Sequence, residues 1–232
     1  IVQYEYNSEL LMSKMTDSAG EATEYDYDAL NRIKELKDDL GKIEYDYDAN
    51  GNLLTISENP KGITNLTKTI ERTYDELDRV TSYSDYKGRV AKYGYDSLGN
   101  LKTLTYPGGE IVTYKYNPDG TLNTMSSNSG GTFTYGYDNY GRLHEIERPD
   151  GSVETREYDT AGQLIEQVDK DKSGNILQEN TYKYDVFGEI TEKTVTEGGN
   201  PDMLTTVNME YDAANRLTKY NGQKVEYDVK GN

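Results

Sequence analysis

Apolar and polar residues alternate along this chain in short runs, and the runs end on one recurring dipeptide. VQYEYN, IEYDYD, AKYGYD, VTYKYN and FTYGYD each place apolar or aromatic residues at every second position, with charged residues or glycine between them. Period two is the signature of a strand with one face out of water. The dipeptide, Tyr-Asp or Tyr-Asn, recurs at Tyr6, Tyr27, Tyr47, Tyr74, Tyr95, Tyr116, Tyr137, Tyr158, Tyr184, Tyr211 and Tyr227. Five of the ten intervals between markers are 21 residues and one is 20; three stretch to 26 or 27, and the last shrinks to 16. A second tyrosine precedes the marker by two at Tyr4, Tyr25, Tyr45, Tyr93, Tyr114, Tyr135 and Tyr182. The pairs Tyr25/Tyr27, Tyr45/Tyr47, Tyr93/Tyr95, Tyr114/Tyr116, Tyr135/Tyr137 and Tyr182/Tyr184 are therefore expected on one face, largely buried.

Each run stops for a backbone reason. An Asp or Asn side chain accepts hydrogen bonds from its own chain two residues on. Three residues further stands glycine, which adopts positive φ without steric cost. This spacing pairs Asp48 with Gly51, Asp96 with Gly99, Asp138 with Gly141, Asp159 with Gly162 and Asp185 with Gly188. Gly120 and Gly231 fit the same slot, and Asn31 and Asn215 take it in two other copies. An apolar residue follows (Ile33, Leu53, Leu101, Leu143) and opens a return strand.

One copy is thus two strands and two turns, and ten copies give about twenty strands. Open twisted sheets rarely exceed about ten strands without curling or splitting. The pattern predicts an all-β array of tandem antiparallel hairpins, bent into a long curved or spiralling sheet. Return strands carry a second apolar residue three positions on, as in Leu101/Leu104 and Leu143/Ile146, which predicts bulges. The stretched copies before Tyr74, Tyr184 and Tyr211 are expected to project longer loops.

Composition changes this picture in two ways. Hydrophobic residues make up 34% of the chain, lean for a globular protein, and the 23 tyrosines supply the missing apolar surface. The net charge of −17 repels phosphates, so nucleic acid and anionic membrane are excluded as partners. Cysteine is absent, so no disulfide framework exists. No apolar run is long enough to span a bilayer as a helix.

Candidate chemistry is sparse. The single histidine, His144, lies in an ordinary copy and reads as a surface strand residue, so no catalytic residue is assigned. Asp46, Asp48, Asn50 and Gly51 match the first half of a calcium loop, but Ser57 stands where a bidentate glutamate is needed. Asp169, Asp171, Ser173 and Gly174 form a second such match, with Asn180 at the last ligand position. A charged hairpin turn explains both, and neither a metal nor another cofactor is expected.

The strings YDYDANGNLLTI, YGYDSLGNLKTL, YGYDNYGRLHEI and MEYDAANRLTKY resemble the YD repeat of the RHS family, over essentially the whole chain. That family includes bacterial polymorphic toxins, cocoon components of insecticidal toxin complexes, wall-associated proteins and teneurins. The resemblance implies a hollow shell whose hairpins contact their neighbours and enclose a C-terminal effector. It implies a secreted or cell-surface bacterial location, and a non-enzymatic, structural role. Residues 1–232 are then a single array of ten to eleven repeats, cut mid-repeat at both ends, with free strand edges suited to end-to-end self-association. The alternative it allows is an exposed adhesive array binding carbohydrate or a cell surface. The Asp-Pro of the family's self-cleavage block is absent.

Overall fold

The computed structural model describes residues 1–63 and 67–228; Gly231 lies outside them. The chain divides into two compact units, Ile1–Val112 and Thr113–Asn232. The first contains β1 (Gln3–Tyr6), β2 (Met12–Thr16), β3 (Ala22–Tyr27), β4 (Ile33–Lys37), β5 (Gly41–Tyr47), β6 (Leu53–Pro60), β7 (Lys68–Tyr74), β8 (Val80–Ser84), β9 (Val90–Tyr95) and β10 (Leu101–Thr105). The boundary falls within β11 (Ile111–Tyr116). The second unit continues with β12 (Leu122–Ser127), β13 (Gly131–Tyr137), β14 (Leu143–Glu147), β15 (Val153–Tyr158), β16 (Leu164–Lys170) and β17 (Ile176–Tyr184). It ends with β18 (Ile190–Glu197), β19 (Leu204–Tyr211), β20 (Leu217–Tyr220) and β21 (Gln223–Lys224). A single 3-10 turn, Pro201–Met203, is the one helical element among the described residues. Within each unit, strands pair antiparallel with their neighbours in sequence. The all-β hairpin architecture is the one the alternation predicts.

The marker turns are alike. Asp28 Oδ1 accepts from the amides of Leu30 and Arg32, and Asp138 Oδ1 from those of Tyr140 and Arg142. The fourth residue closes the turn onto the carbonyl of the first, Gly141 to Asp138 and Asn31 to Asp28. That residue sits at positive φ: Gly51 at 97°, Gly99 at 91°, Gly141 at 77°, Asn31 at 61° and Asn215 at 56°. Two further copies hold Leu10 (62°) and Asp78 (58°) there. A three-residue loop with its last residue left-handed is a standard hairpin connection.

A bulge follows nine of the marker turns. Tyr137 faces Leu143 while Gly136 faces Glu145, leaving His144 without a cross-strand partner. The same step isolates Lys34, Lys102 and Ile165. The extra residue turns the return strand over by one position. Both apolar residues of that strand, three apart, therefore land on the tyrosine face: Leu143 opposite Tyr137 and Ile146 opposite Tyr135. The odd spacing in the sequence is the bulge written in residues.

Two expectations need correction. The paired tyrosines are half-buried, and in the first copy Tyr4 and Tyr6 are exposed at 53% and 61%. The reason is that strands contact their chain neighbours side by side, and among the described residues only Val112 and Val168 are buried apolar side chains. The stretched copies before Tyr184 and Tyr211 put extra residues into the strands. β17 runs for nine residues and β18 and β19 for eight each, while Asp171–Asn175 remains an ordinary turn. Added strand length brings added cross-strand bonds, which a projecting loop would forgo.

Successive copies are tied by the marker hydroxyl. Tyr27 donates to the carbonyl of Met12 (2.8 Å), Tyr47 to Ile33 (3.0 Å), Tyr74 to Leu53 (2.9 Å) and Tyr95 to Val80 (2.8 Å). In the second unit Tyr137 reaches Leu122 (3.0 Å), Tyr158 Leu143 (2.7 Å), Tyr184 Leu164 (2.7 Å), Tyr211 Ile190 (3.2 Å) and Tyr227 Leu217 (3.0 Å). The acceptor is in each case the residue that opens the preceding return strand, and its carbonyl lies beside the bulge.

The turn carboxyls of Asp48, Asp75, Asp171 and Asp212 titrate low. For Asp48, Asp75, Asp171 and Asp212 the largest cause is the side-chain hydrogen bond from Asn52, Arg79, Asn175 or Arg216. Turn amides add to it, and partial desolvation opposes it. A carboxyl held below its unfolded value stabilises the fold above that value, about 3.9, and loses its contribution as pH falls through the folded value. Urea midpoints should therefore hold steady from neutrality to about pH 5 and drop below about pH 4; an unchanged midpoint at pH 3 would contradict the capping role.

Gly99→Val or Gly141→Val should cost about 1–3 kcal/mol, because a β-branched residue resists positive φ. Leu10→Gly should raise stability by up to about 1 kcal/mol by relieving the same strain. Both are read from urea denaturation, and a neutral valine variant would refute the turn requirement. Tyr137→Phe deletes only a hydroxyl and should cost about 0.5–1.5 kcal/mol. Tyr140→Phe, at an exposed ring, should cost almost nothing; equal losses would contradict the inter-copy tie.

Candidate functional site

The candidate site is the wall itself, and arginine supplies its second seam. Where the residue after the left-handed position is arginine, its Nε bonds the turn carboxylate: Arg32 to Asp28, Arg79 to Asp75 and Arg142 to Asp138. The guanidinium then stacks on the marker ring of the following copy. Arg32 lies 4.4 Å from the Tyr47 centroid, Arg79 4.4 Å from Tyr95 and Arg142 4.6 Å from Tyr158. From there Arg32 Nη1 donates to the carbonyl of Asp48, and Arg142 Nη1 to that of Asp159. Arg32 and Arg142 thus bind their own turn, the next ring and the next turn at once, and Arg79 its own turn and the next ring. The sequence reading missed this; its signal was Arg or Asn four residues after the marker Asp.

The predicted turn residues take these positions. Asp48, Asp96, Asp138, Asp159 and Asp185 each accept two amides of their own turn. Gly51, Gly99, Gly141, Gly162 and Gly188 close those turns. Tyr25 faces Leu36, Tyr45 faces Ile56, Tyr93 faces Leu104, Tyr135 faces Ile146 and Tyr182 faces Lys193. Tyr114 and Tyr116 lie on β11, half-buried.

Where a copy lacks the first tyrosine, the pair changes chemistry. Arg72 stands at that place and faces Tyr83, 5.6 Å from its ring, while Lys193 lies 5.6 Å over Tyr182. A cation on an aromatic face retains the contact that two apolar groups would make. Arg156 stands at the same place in its copy and begins a charged cluster. Glu154, 6% exposed, takes Arg156 on one oxygen and Arg148 on the other, and Arg148 also reaches Asp169 at 2.7 Å. Two cations and two anions balance, so the buried glutamate keeps its charge compensated. No local pattern signals it, because Glu154 and Asp169 are 15 residues apart and meet only through the β15–β16 register.

Neither calcium-loop match assembles a ligand set. Asp48 Oδ1 serves two turn amides and Oδ2 accepts from Asn52 Nδ2, while Asp46 accepts from Thr55. Asp171 does likewise with Ser173 and Asn175, and Asp169 is held by Arg148. Among the described residues no group of three His, Asp or Glu side chains is placed to hold a metal. His144 occupies the bulge, with Nδ1 2.8 Å from the carbonyl of Arg156.

A family model described as Teneurin YD-shell matches residues 2–155. No curated protein is similar to the chain. The Tc holotoxin pore of Photorhabdus luminescens shares its fold, with a TM-score of 0.56 at 14% identity, over 94% of this chain and 13% of that one. A crystal structure of TcdB2-TccC3 without its hypervariable C-terminal region is similar at 14% identity and a TM-score of 0.49, over 93% of this chain and 16% of that one. The chain therefore spans about 13% to 16% of the length of these solved proteins. With more than half of its residues matched by the family's model and its hairpins joined copy to copy in the manner described, this chain belongs to the Teneurin YD-shell family and is a structural segment of such a shell.

Proposed function

We propose that this segment forms part of a wall that encloses a C-terminal effector in a longer, extracellularly delivered protein, and that it performs no catalysis. The observation that carries the reading is the repeated tie between copies. A wall that must exclude proteases needs neighbouring hairpins fixed to one another; marker hydroxyls do this between successive copies, and guanidinium seams join them where arginine follows the turn. The acidic surface keeps such a wall soluble. His144 and the turn aspartates are occupied by structural hydrogen bonds, which accords with a scaffold. No helix among the described residues is long and apolar enough to cross a membrane.

The test is limited proteolysis of the complete parent protein beside its isolated C-terminal region. The C-terminal region should survive inside the complete array at least tenfold longer than alone. Equal cleavage rates would end the enclosure reading, and retention of the isolated array on a glycan surface would then favour adhesion.

A further inference from the structure

The marker turns of the first unit carry an apolar row that folding does not require. These turns need an acceptor at the first position and a left-handed residue at the fourth; the third is free and usually polar. Here Leu30, Leu77 and Leu98 occupy the third position and are 67%, 71% and 83% exposed, and Leu10 at the fourth is 83% exposed. Only Asn50 interrupts the row. The turns at the other ends of these strands expose Leu40, Ile63, Tyr86 and Tyr106, but interleave them with the cations Lys61 and Lys87.

Exposed leucines in a row mark a surface that another molecule covers, and charge and spacing define its occupant. The first four residues of the five turns (NSEL, DALN, DANG, DELD and DSLG) contain no cation. Glu9 and Glu76 are exposed beside Leu10 and Leu77. The arginines that follow, Arg32 and Arg79, are already bound to Asp28 and Asp75. Successive marker turns are two strands apart, about 9.6 Å at the usual strand separation. Seven residues of α-helix advance about 10.5 Å. We propose that the marker-turn edge of the first unit, through Leu30, Leu77 and Leu98 with Glu9 and Glu76, docks a basic amphipathic helix whose apolar residues recur every seven. This goes beyond the enclosing role, since the edge is distinct from the tyrosine face.

Fluorescence anisotropy with a labelled 21-residue leucine–lysine helical peptide tests it. The chain should bind this peptide and ignore the counterpart with glutamate in place of lysine. Leu77→Ser with Leu98→Ser should weaken binding at least tenfold, and Leu40→Ser should leave it unchanged. These are exposed turn positions; should the double variant unfold, Glu76→Lys replaces it, with weakened binding expected. Undiminished binding by the double variant would reduce the effect to bulk charge and overturn the proposal. So would sedimentation showing that the same leucines join two copies of the chain in place of a peptide.

Discussion

The bond from a marker tyrosine to the carbonyl that opens the preceding return strand, made by nine of them, is the contact on which this wall depends. A hairpin has too little apolar surface to hold itself. The ring covers the strand beside it while the hydroxyl ends on a fixed backbone acceptor one copy away, as Tyr137 does on Leu122. One residue type thereby supplies apolar contact and register together. That suits tyrosine in place of phenylalanine, which would leave the carbonyl beside the bulge without this donor.

The bulge and the turn make that reach possible. Without the extra residue at Lys34 or His144, the return strand would carry Leu36 or Ile146 to the opposite face, and the rings of Tyr25 and Tyr135 would lose their partners. The turn aspartate serves the same end, since its carboxylate fixes the loop from within and also holds the arginine that crosses to the next ring. Stability is consequently spread along the array in similar, local units, as nearest-neighbour coupling requires. It is also tied to ionised carboxylates at turns such as those of Asp48, Asp75 and Asp212, so acid acts on several copies together.

Charge takes the place of a core where tyrosine is missing. Around Glu154 the most buried side chains are polar, and they stay there because two arginines and Asp169 balance them. Such a cluster adds directional contacts that apolar residues would not, at the cost of desolvating four charges. It lies on the turn before β15, on β15 and on β16, beside the stretched copy before Tyr184.

How much of this the sequence held depends on the range of each interaction. Alternation, the Tyr-Asp marker and the glycine three residues on determine strand, turn and backbone sign, because those are set by neighbours in the chain. The leucine spacing of three even announced the bulge. What sequence left open were contacts between copies: that Tyr47 bonds Ile33, that Arg142 spans two turns, and that Glu154 meets Asp169. These depend on which strand lies alongside and in what register. The added residues before Tyr184 illustrate the limit. Their number was readable, yet whether they entered a loop or a strand was decided by the partner strand, which offered Gln178 and Glu179 backbone bonds that open solvent competes for. Burial of the tyrosines was decided the same way, since pattern assigns a face and only the packed structure determines what covers it.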